Sequence, residues 1–312
     1  MFKRLLVPLD GSPLAETILP AAAFLATHLE ASVVLIHVIE PDAPSAVHGQ
    51  RHLRTAGEAE AYLREVAMAA FPPEIRVETH VHAEKIDSVT KSIAAHVTEF
   101  GSELILMCTH GKGGAKRLLF GSNAQQIASL GEVPMLLFPA TIGSPAPFAM
   151  NNLLVPLDGQ PEHEHSLPIA ADLARRCGAA LHLVRVVHTY GDLSGPWVQS
   201  SRLLPGTTSR MLEMAVQEAQ EYLDNLAKSL GQGQTPVTTE VLRGDPAQVI
   251  GEAAAVGGSD LIVVGTHGKI GTDAFWSGSV ASKICLSCDT PLLLIPAAAT
   301  KSDKKTAPET TS

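Results

Sequence analysis

A stretch of small residues near the C-terminal end of the chain has the spacing of a phosphate-binding loop. Residues 263–280 read VVGTHGKIGTDAFWSGSV, with Gly265 and Gly268 after an apolar run and Gly278 and Ser279 further on. Small residues let a ligand approach the main chain, and Gly268 can take the positive φ of a tight turn. At a helix start, free N–H groups and the helix dipole favour an anion. The pattern G-x2-G-x9-G-S therefore favours a phosphate cradle, and the alternative is a structural turn followed by a helix start.

The sequence contains two copies of one pattern. LLVPLDGSP at 5–13 recurs as LLVPLDGQP at 153–161, and ELILMCTHGK at 103–112 recurs as DLIVVGTHGK at 260–269. Each copy is about the size of one ordinary domain. The stretch between the copies is rich in small residues and Pro, as in a linker, and the end of the chain is polar without a hydrophobic period. We predict two domains, 1–142 and 151–297, followed by a disordered polar tail, 298–312.

Within each copy, short apolar runs alternate with amphipathic segments of helical spacing. Runs such as LIVV and LLLI are apolar on both faces, as in strands buried between two helical layers. We therefore predict the α/β class, with two doubly wound, five-stranded parallel-sheet domains in tandem. Ligands of such sheets bind beyond the carboxyl ends of the strands, where the strand order reverses. Asp10 and Asp158 follow the first strand of each copy and are expected at that edge, although either could instead cap the following helix.

Four motifs together resemble the universal stress protein family: LLVPLDGS/LLVPLDGQ, HVIE/RVVH, GTHG-x9-GS and the closing PxLLxP strand. The resemblance covers about residues 2–140 and 151–296, and the chain is similar to a tandem member whose domains are also described as adenine nucleotide α-hydrolase-like. It implies binding of ATP, with or without Mg²⁺. In that family the Asp lies against the nucleoside and its metal or ribose, a Val offers its main chain to adenine, and the glycines hold ribose and phosphates. Carried onto the second copy, the nucleotide-binding residues are Pro156, Asp158, Val186, Gly265, His267, Gly268, Gly278, Ser279 and Val280.

The first copy departs from this pattern. Cys108 stands where the first glycine belongs, and a Cys side chain is expected to crowd the ribose region. Asn123 replaces an apolar residue, and the entry to the third helix differs between the copies. The motif positions that the first copy retains are Asp10, Val38, Gly111, Gly121 and Ser122. We expect the first copy to bind nucleotide more weakly than the second, or not at all.

Cysteine and histidine motifs elsewhere favour structural or solvated roles. Cys285 and Cys288 form C-x-x-C at the end of a predicted helix, whereas a redox pair belongs at a helix start, where the dipole lowers the thiol pKa. The histidines at 163 and 165 point to different faces of a helix. His80 and His82 share one face of a strand, but no third metal ligand is evident. We therefore interpret these histidines as solvated surface residues.

Composition limits the classes of partner. The net charge of −9 disfavours non-specific binding to nucleic acid or to an anionic membrane. No window approaches the roughly 20 apolar residues of a membrane span. Four cysteines in 312 residues make no disulfide framework. We expect a cytoplasmic protein whose halves pair through 133–139 and 290–296, and which can dimerise further.

Three functions remain open at this stage. The first is a cytoplasmic ATP-binding stress or signalling module. The second is a slow ATPase or autokinase, although Lys269 is the only cation in the motif and no dedicated base is visible. The third is a nucleotide-free structural or interaction protein, against which the intact glycines of the second copy argue. The sequence favours a binding module over an enzyme.

Overall fold

The structure is a computed structural model of the chain. It describes residues 1–39, 46–47, 50–51, 53–84, 88–109, 124, 126–128, 133–139, 147–191, 203–230, 235–266 and 280–297. The predicted tail lies outside the described residues, as does most of each glycine loop.

Parallel strands form the centre of each half. In chain order the strands are β1 (Arg4–Pro8), β2 (Ser32–Val38), β3 (Ala46–Val47), β4 (Gln50–Arg51), β5 (Val77–His82), β6 (Leu104–Thr109), β7 (Met135–Pro139), β8 (Asn152–Leu157), β9 (Ala180–Val187), β10 (Val237–Arg243), β11 (Leu261–Thr266) and β12 (Leu292–Pro296). The order is β7-β6-β1-β2-β5 in the first half and β12-β11-β8-β9-β10 in the second, and all neighbours within a half are parallel. The short β3 and β4 form a separate antiparallel ribbon. The predicted fold class, two five-stranded doubly wound domains in tandem, is confirmed.

The last strands of the two halves lie side by side and antiparallel. Leu137 faces Leu292, Leu136 faces Leu293, and Met135 faces Leu294. All six side chains are buried. This register makes one continuous sheet of ten strands.

Helices cover both faces of the sheet. They are α1 (Pro13–Glu16), α2 (Leu19–Leu29), α3 (Ala56–Ala70), α4 (Val89–Phe100), a 3₁₀ helix (Pro161–Ser166), α5 (Leu167–Cys177), α6 (Pro205–Leu230), α7 (Pro246–Val256) and α8 (Val280–Ser287). Helices α2, α3, α5 and α6 contribute to one apolar cluster, and α4, α7 and α8 contribute to the other. Leu5 and Val7 of β1 belong to the first cluster, whereas Leu6 between them belongs to the second. This alternation explains why the strands read as apolar on both faces.

The C-x-x-C pair lies in the core at the end of α8. Cys285 and Cys288 are buried, and both are free thiols. Burial raises the pKa of the Cys285 thiol well above its usual range. Burial also raises the pKa of Cys108 to about 12 and that of Cys177 to about 11. These environments disfavour thiolate chemistry and fit the structural interpretation of the pair.

The native thiols should therefore react slowly. At a pH of about 8, near the ordinary thiol pKa, we expect an aromatic disulfide reagent to label all four cysteines at once in denatured protein. In native protein the same labelling should be much slower, since only the thiolate attacks. Absorbance of the released thiol measures both rates. A fast native phase that is lost in Cys285→Ser would contradict the structural assignment.

Candidate functional site

The carboxyl ends of three neighbouring strands form the candidate site of the second half. Strand β8 lies between β9 and β11, so residues at or beyond their ends share one edge. Of the residues predicted from the sequence, this edge contains Pro156 in β8, Asp158 just beyond it, Val186 in β9, Gly265 in β11, and Val280 as the first residue of α8. In the first half, Asp10 follows β1 and Val38 ends β2. The remaining predicted residues lie outside the described ones: His267, Gly268, Gly278, Ser279, Gly111, Gly121 and Ser122.

The two strand-tip aspartates organise the turns that follow them. Asp158 accepts hydrogen bonds from the Gln160 N–H at 2.9 Å and from Nδ1 of His163 at 2.5 Å. Asp10 accepts two hydrogen bonds from Ser12, one from its N–H at 2.9 Å and one from its hydroxyl at 2.6 Å. Ser12, and not Asp10, is the residue that caps α1. Asp10 thus supports the cap indirectly, and Asp158 is held by a histidine that has no counterpart in the first half.

An arginine lies against the turn after β8. Gly159 has a φ of +84°, and a Cβ atom placed on it would lie 2.5 Å from the guanidinium carbon of Arg185. The same guanidinium stacks over the Tyr222 ring, with 5.3 Å from its carbon to the ring centroid. Only glycine combines this φ with so close an approach. Arg185 is therefore a cation at the strand edge that the sequence analysis missed, although its position next to Val186 in the RVVH motif was a usable signal.

A tyrosine–carboxylate pair occurs at the same place in each half. Tyr222 donates a hydrogen bond to Glu164 at 2.7 Å, and Tyr62 donates one to Glu16 at 3.0 Å. Burial, together with the carboxylate, raises the pKa of each phenol far above its usual range. Each phenol therefore stays a protonated donor and ties the helix after the second strand of its half to the short helix after the first strand.

The tyrosine pairs lead to a measurable pH dependence. A phenol whose pKa is raised by folding contributes stability that is present below the unfolded pKa of about 10 and lost as the pH rises beyond it. We expect native protein at about pH 11, one unit above that value, to show less tyrosinate absorbance than denatured protein. The deficit should shrink in the double variant Tyr62→Phe/Tyr222→Phe. Equal native and denatured titrations would contradict the burial of these phenols.

Gly265 faces a histidine of the 3₁₀ helix. A Cβ atom placed on Gly265 would lie 2.9 Å from Cε1 and 3.0 Å from Nε2 of His165. Nε2 of His165 donates to the carbonyl of Ile295 at 3.0 Å. His165 is thus half-buried and packed, so its interpretation as a solvated surface residue was wrong; its neighbour His163 is also engaged, by Asp158. The contact gives Gly265 a structural reason to lack a side chain, independent of any ligand.

In the first half, the two positions that correspond to Gly265 and His165 have the opposite distribution of side-chain size. Cys108 takes the position of Gly265, and Thr17 takes the position of His165. The thiol lies 3.0 Å from the Thr17 hydroxyl and 3.6 Å from the Ala15 carbonyl. Cys108 therefore packs against α1 and the residues after it, where the sequence analysis expected it to crowd a ribose. The pair of Cys108 and the small Thr17 thus fills a space similar to that filled by Gly265 and the large His165.

The fold and the strand-edge sites define a tandem α/β protein with one candidate ligand site in each half. The model of the universal stress protein family matches residues 1–139 and 150–296, so the chain belongs to that family. A universal stress protein of Mycolicibacterium smegmatis is 26% identical over 304 residues, 93% of this chain and 96% of that protein. Universal stress protein MJ0531 of Methanocaldococcus jannaschii is 31% identical over 145 residues, 46% of this chain and 80% of that protein.

Solved structures agree on the fold. A universal stress protein from Archaeoglobus fulgidus superposes with a TM-score of 0.65 at 16% identity, covering 94% of this chain and 96% of that one. A putative universal stress protein from Pseudomonas aeruginosa gives a TM-score of 0.67 at 16% identity, covering 94% and 93%. At such identity the likeness speaks for the fold alone. Among the described residues, no helix has both the length and the apolar character needed to cross a bilayer.

Proposed function

We propose that this chain is a cytoplasmic, ATP-binding universal stress protein that holds its nucleotide in the second half. The observation that carries the proposal is the charge pattern at the carboxyl edge of β8, β9 and β11. Arg185 of β9 lies against the turn at Gly159, directly after Asp158. This turn follows β8, whose neighbour β11 runs into the G-x2-G-x9-G-S stretch. A guanidinium suits a phosphate as a planar donor, and the N–H groups of the first turn of α8 can supply further donors. The described part of the edge therefore fits an anionic nucleotide.

Each residue has a distinct task in this proposal. Val186 at the end of β9 offers its main chain to adenine, and Asp158 lies against the ribose or a bound Mg²⁺. Arg185 attracts the phosphates, which the loop from His267 to Ser279 then holds through N–H groups at the start of α8. The first half lacks this cation, since His37 takes the place of Arg185 and its Nδ1 bonds the Leu9 carbonyl. We therefore propose weaker nucleotide binding there.

ATP would act as a switch ligand. If the glycine loops differ between the nucleotide-bound and nucleotide-free states, ATP shifts their populations by its differential affinity for the two states. A downstream partner that distinguishes those states then responds to ATP. We also propose that the two halves act as one unit paired through β7 and β12, and that the unit can dimerise further. The buried antiparallel register of these strands supports the intramolecular part.

Slow ATP hydrolysis is the second candidate function. It is favoured by the 2.5 Å hydrogen bond between Asp158 and Nδ1 of His163. A carboxylate that fixes Nδ1 directs Nε2 toward a proton elsewhere, as a general base requires. Arg185 adds a positive charge near the place where phosphoryl transfer would need it. A nucleotide-free structural role is the third candidate.

Nucleotide content separates the three functions. Full-length protein is purified without added nucleotide, and one half of the sample is incubated with Mg²⁺ and ATP. Both halves are then denatured, and the released nucleotides are identified by ion-exchange chromatography. We expect bound ATP that survives the incubation. Accumulation of ADP that stops in His163→Gln would favour the enzyme. Protein that is empty and takes up no ATP would reject the proposal.

A further inference from the structure

Three imidazole rings meet between an edge strand and the helix that covers it. His80 and His82 lie on one face of β5, which is at the edge of the sheet. His96 approaches them from α4, with ring centroids 4.7 Å from His80 and 4.9 Å from His82. One nitrogen from each of the three rings lies within 4.8 Å of the other two. The prediction that His80 and His82 are solvated and lack a third ligand is wrong, because His96 comes from a different element.

His96 and His80 each have a ring nitrogen that could bind a metal ion. Nδ1 of the buried His96 donates to the Ser92 carbonyl at 2.7 Å, because a carbonyl can only accept. Nε2 is therefore the nitrogen of His96 that is left to hold a metal ion. Nε2 of His80 is buried and has no hydrogen-bond partner among the described residues. Burial, and then the neighbouring His96, lower the pKa of His80. A ligand ring held through its other nitrogen is the usual arrangement around a bound metal.

The surroundings supply a fourth ligand and an apolar wall. Oε2 of Glu99 lies 3.6 Å from Nε2 of His96, and its side chain is mostly exposed and able to move. Glu78, on the same face of β5, is instead engaged by Arg4 at 2.5 Å. Phe100 packs against both His80 and His96, with centroids at 5.1 and 5.7 Å. Glu99 or a water molecule can therefore complete four coordination, while Phe100 shields one side.

The second half shows that the fold does not require these histidines. The register that pairs Ile36 with His80 in the first half pairs Val184 with Glu240 in the second. The positions of His82 and His96 correspond to Leu242 and Ala253. There, Glu240, Leu242 and Ala253 line a cavity of about 480 Å³. The same space between edge strand and helix is thus filled by three imidazoles in one half and left open in the other.

We propose that His80, His82 and His96 bind a divalent transition metal ion, with Zn²⁺ as the best match. Imidazole nitrogen suits Zn²⁺, Cu²⁺ and Ni²⁺, whereas Mg²⁺ requires oxygen ligands. Tetrahedral Zn²⁺ with bonds of about 2.0–2.1 Å brings its nitrogens to roughly 3.3 Å from one another, so small ring rotations close the site. The metal would tie β5 to α4 and stabilise the first half by mass action. The site is separate from the nucleotide edge of the second half.

Calorimetry on the untagged, chelator-treated full chain tests the proposal. We expect one Zn²⁺ to bind per chain. Any heat from Mg²⁺ should be the same in the parent and in the histidine variants. His80→Gln and His82→Gln should each weaken Zn²⁺ binding more than about 100-fold, since loss of outer partners alone costs about 10- to 100-fold. His182→Gln is the matched control. It removes a strand histidine of the second half that contacts Glu240 at 3.0 Å, and it should bind as the parent does.

The visible absorption of bound Co²⁺ reports the coordination of the metal directly, rather than its effect on the stability of the fold. Co²⁺ in a four-coordinate nitrogen site absorbs visible light far more strongly than six-coordinate aqueous Co²⁺. We expect this absorption in the parent chain and in His182→Gln, displaced by one equivalent of Zn²⁺, and absent from His82→Gln. Absence of one-to-one binding to the parent would overturn the proposal, as would unchanged Zn²⁺ affinity in His82→Gln.

Discussion

We expect Gly278→Val to abolish ATP binding by the full chain, and the matched change Gly121→Val to leave most of it intact. Gly278 stands two residues before α8 begins at Val280, where the free N–H groups of the helix start are expected to meet phosphate. We expect a branched side chain there to cover the main-chain donors and to keep the phosphates at a distance. The expected loss is at least about 100-fold, equivalent to about 2.7 kcal/mol. Titration calorimetry with ATP and Mg²⁺ measures it for both variants.

The matched pair makes this result interpretable. Gly121 occupies the corresponding position of the first half, so the same residue type is changed in the same sequence context. Circular dichroism of both variants checks that the fold is retained. Normal ATP binding by Gly278→Val would show that the loop of the second half is not the nucleotide site. A loss confined to Gly121→Val would assign the nucleotide to the first half.

We expect Gly265→Cys to destabilise the second half, and the additional change His165→Thr to restore most of the loss. The cysteine Cβ would lie within 3.0 Å of two His165 ring atoms, so the ring must move and give up its hydrogen bond to Ile295. Overpacking of this kind costs about 1–3 kcal/mol. The double variant reproduces the Cys108–Thr17 pair of the first half, in which thiol and hydroxyl lie 3.0 Å apart. We expect a coupling of about 1–2 kcal/mol between the two changes.

Urea unfolding measures this cycle. Far-ultraviolet circular dichroism follows the unfolding of the full chain, in which the two halves share one sheet. His165→Thr alone should also destabilise, because it removes a packed ring and leaves a cavity beside Gly265. The double variant should be more stable than the sum of the single changes predicts. Strict additivity would show that His165 and Gly265 do not share one packing site.

Much of the fold could be predicted because its signals are local in the chain. Runs such as LIVV indicated doubly buried strands, amphipathic segments indicated helices, and the recurring LLVPLDG showed the tandem arrangement. The edge position of Asp10 and Asp158 followed from the parallel order of the strands. The roles of the glycine loops remain predictions, since most of both loops lies outside the described residues.

Contacts between distant elements could not be predicted in this way. His165 meets Ile295 across 130 residues, and Arg185 of β9 reaches the turn at Gly159. His96 joins His80 and His82 because α4 packs on the edge strand β5. A side-chain period of two or 3.6 residues tells which face of an element is apolar. Which residues of two elements touch depends on the register and on the placement of each helix over the sheet, and these are properties of the assembled fold.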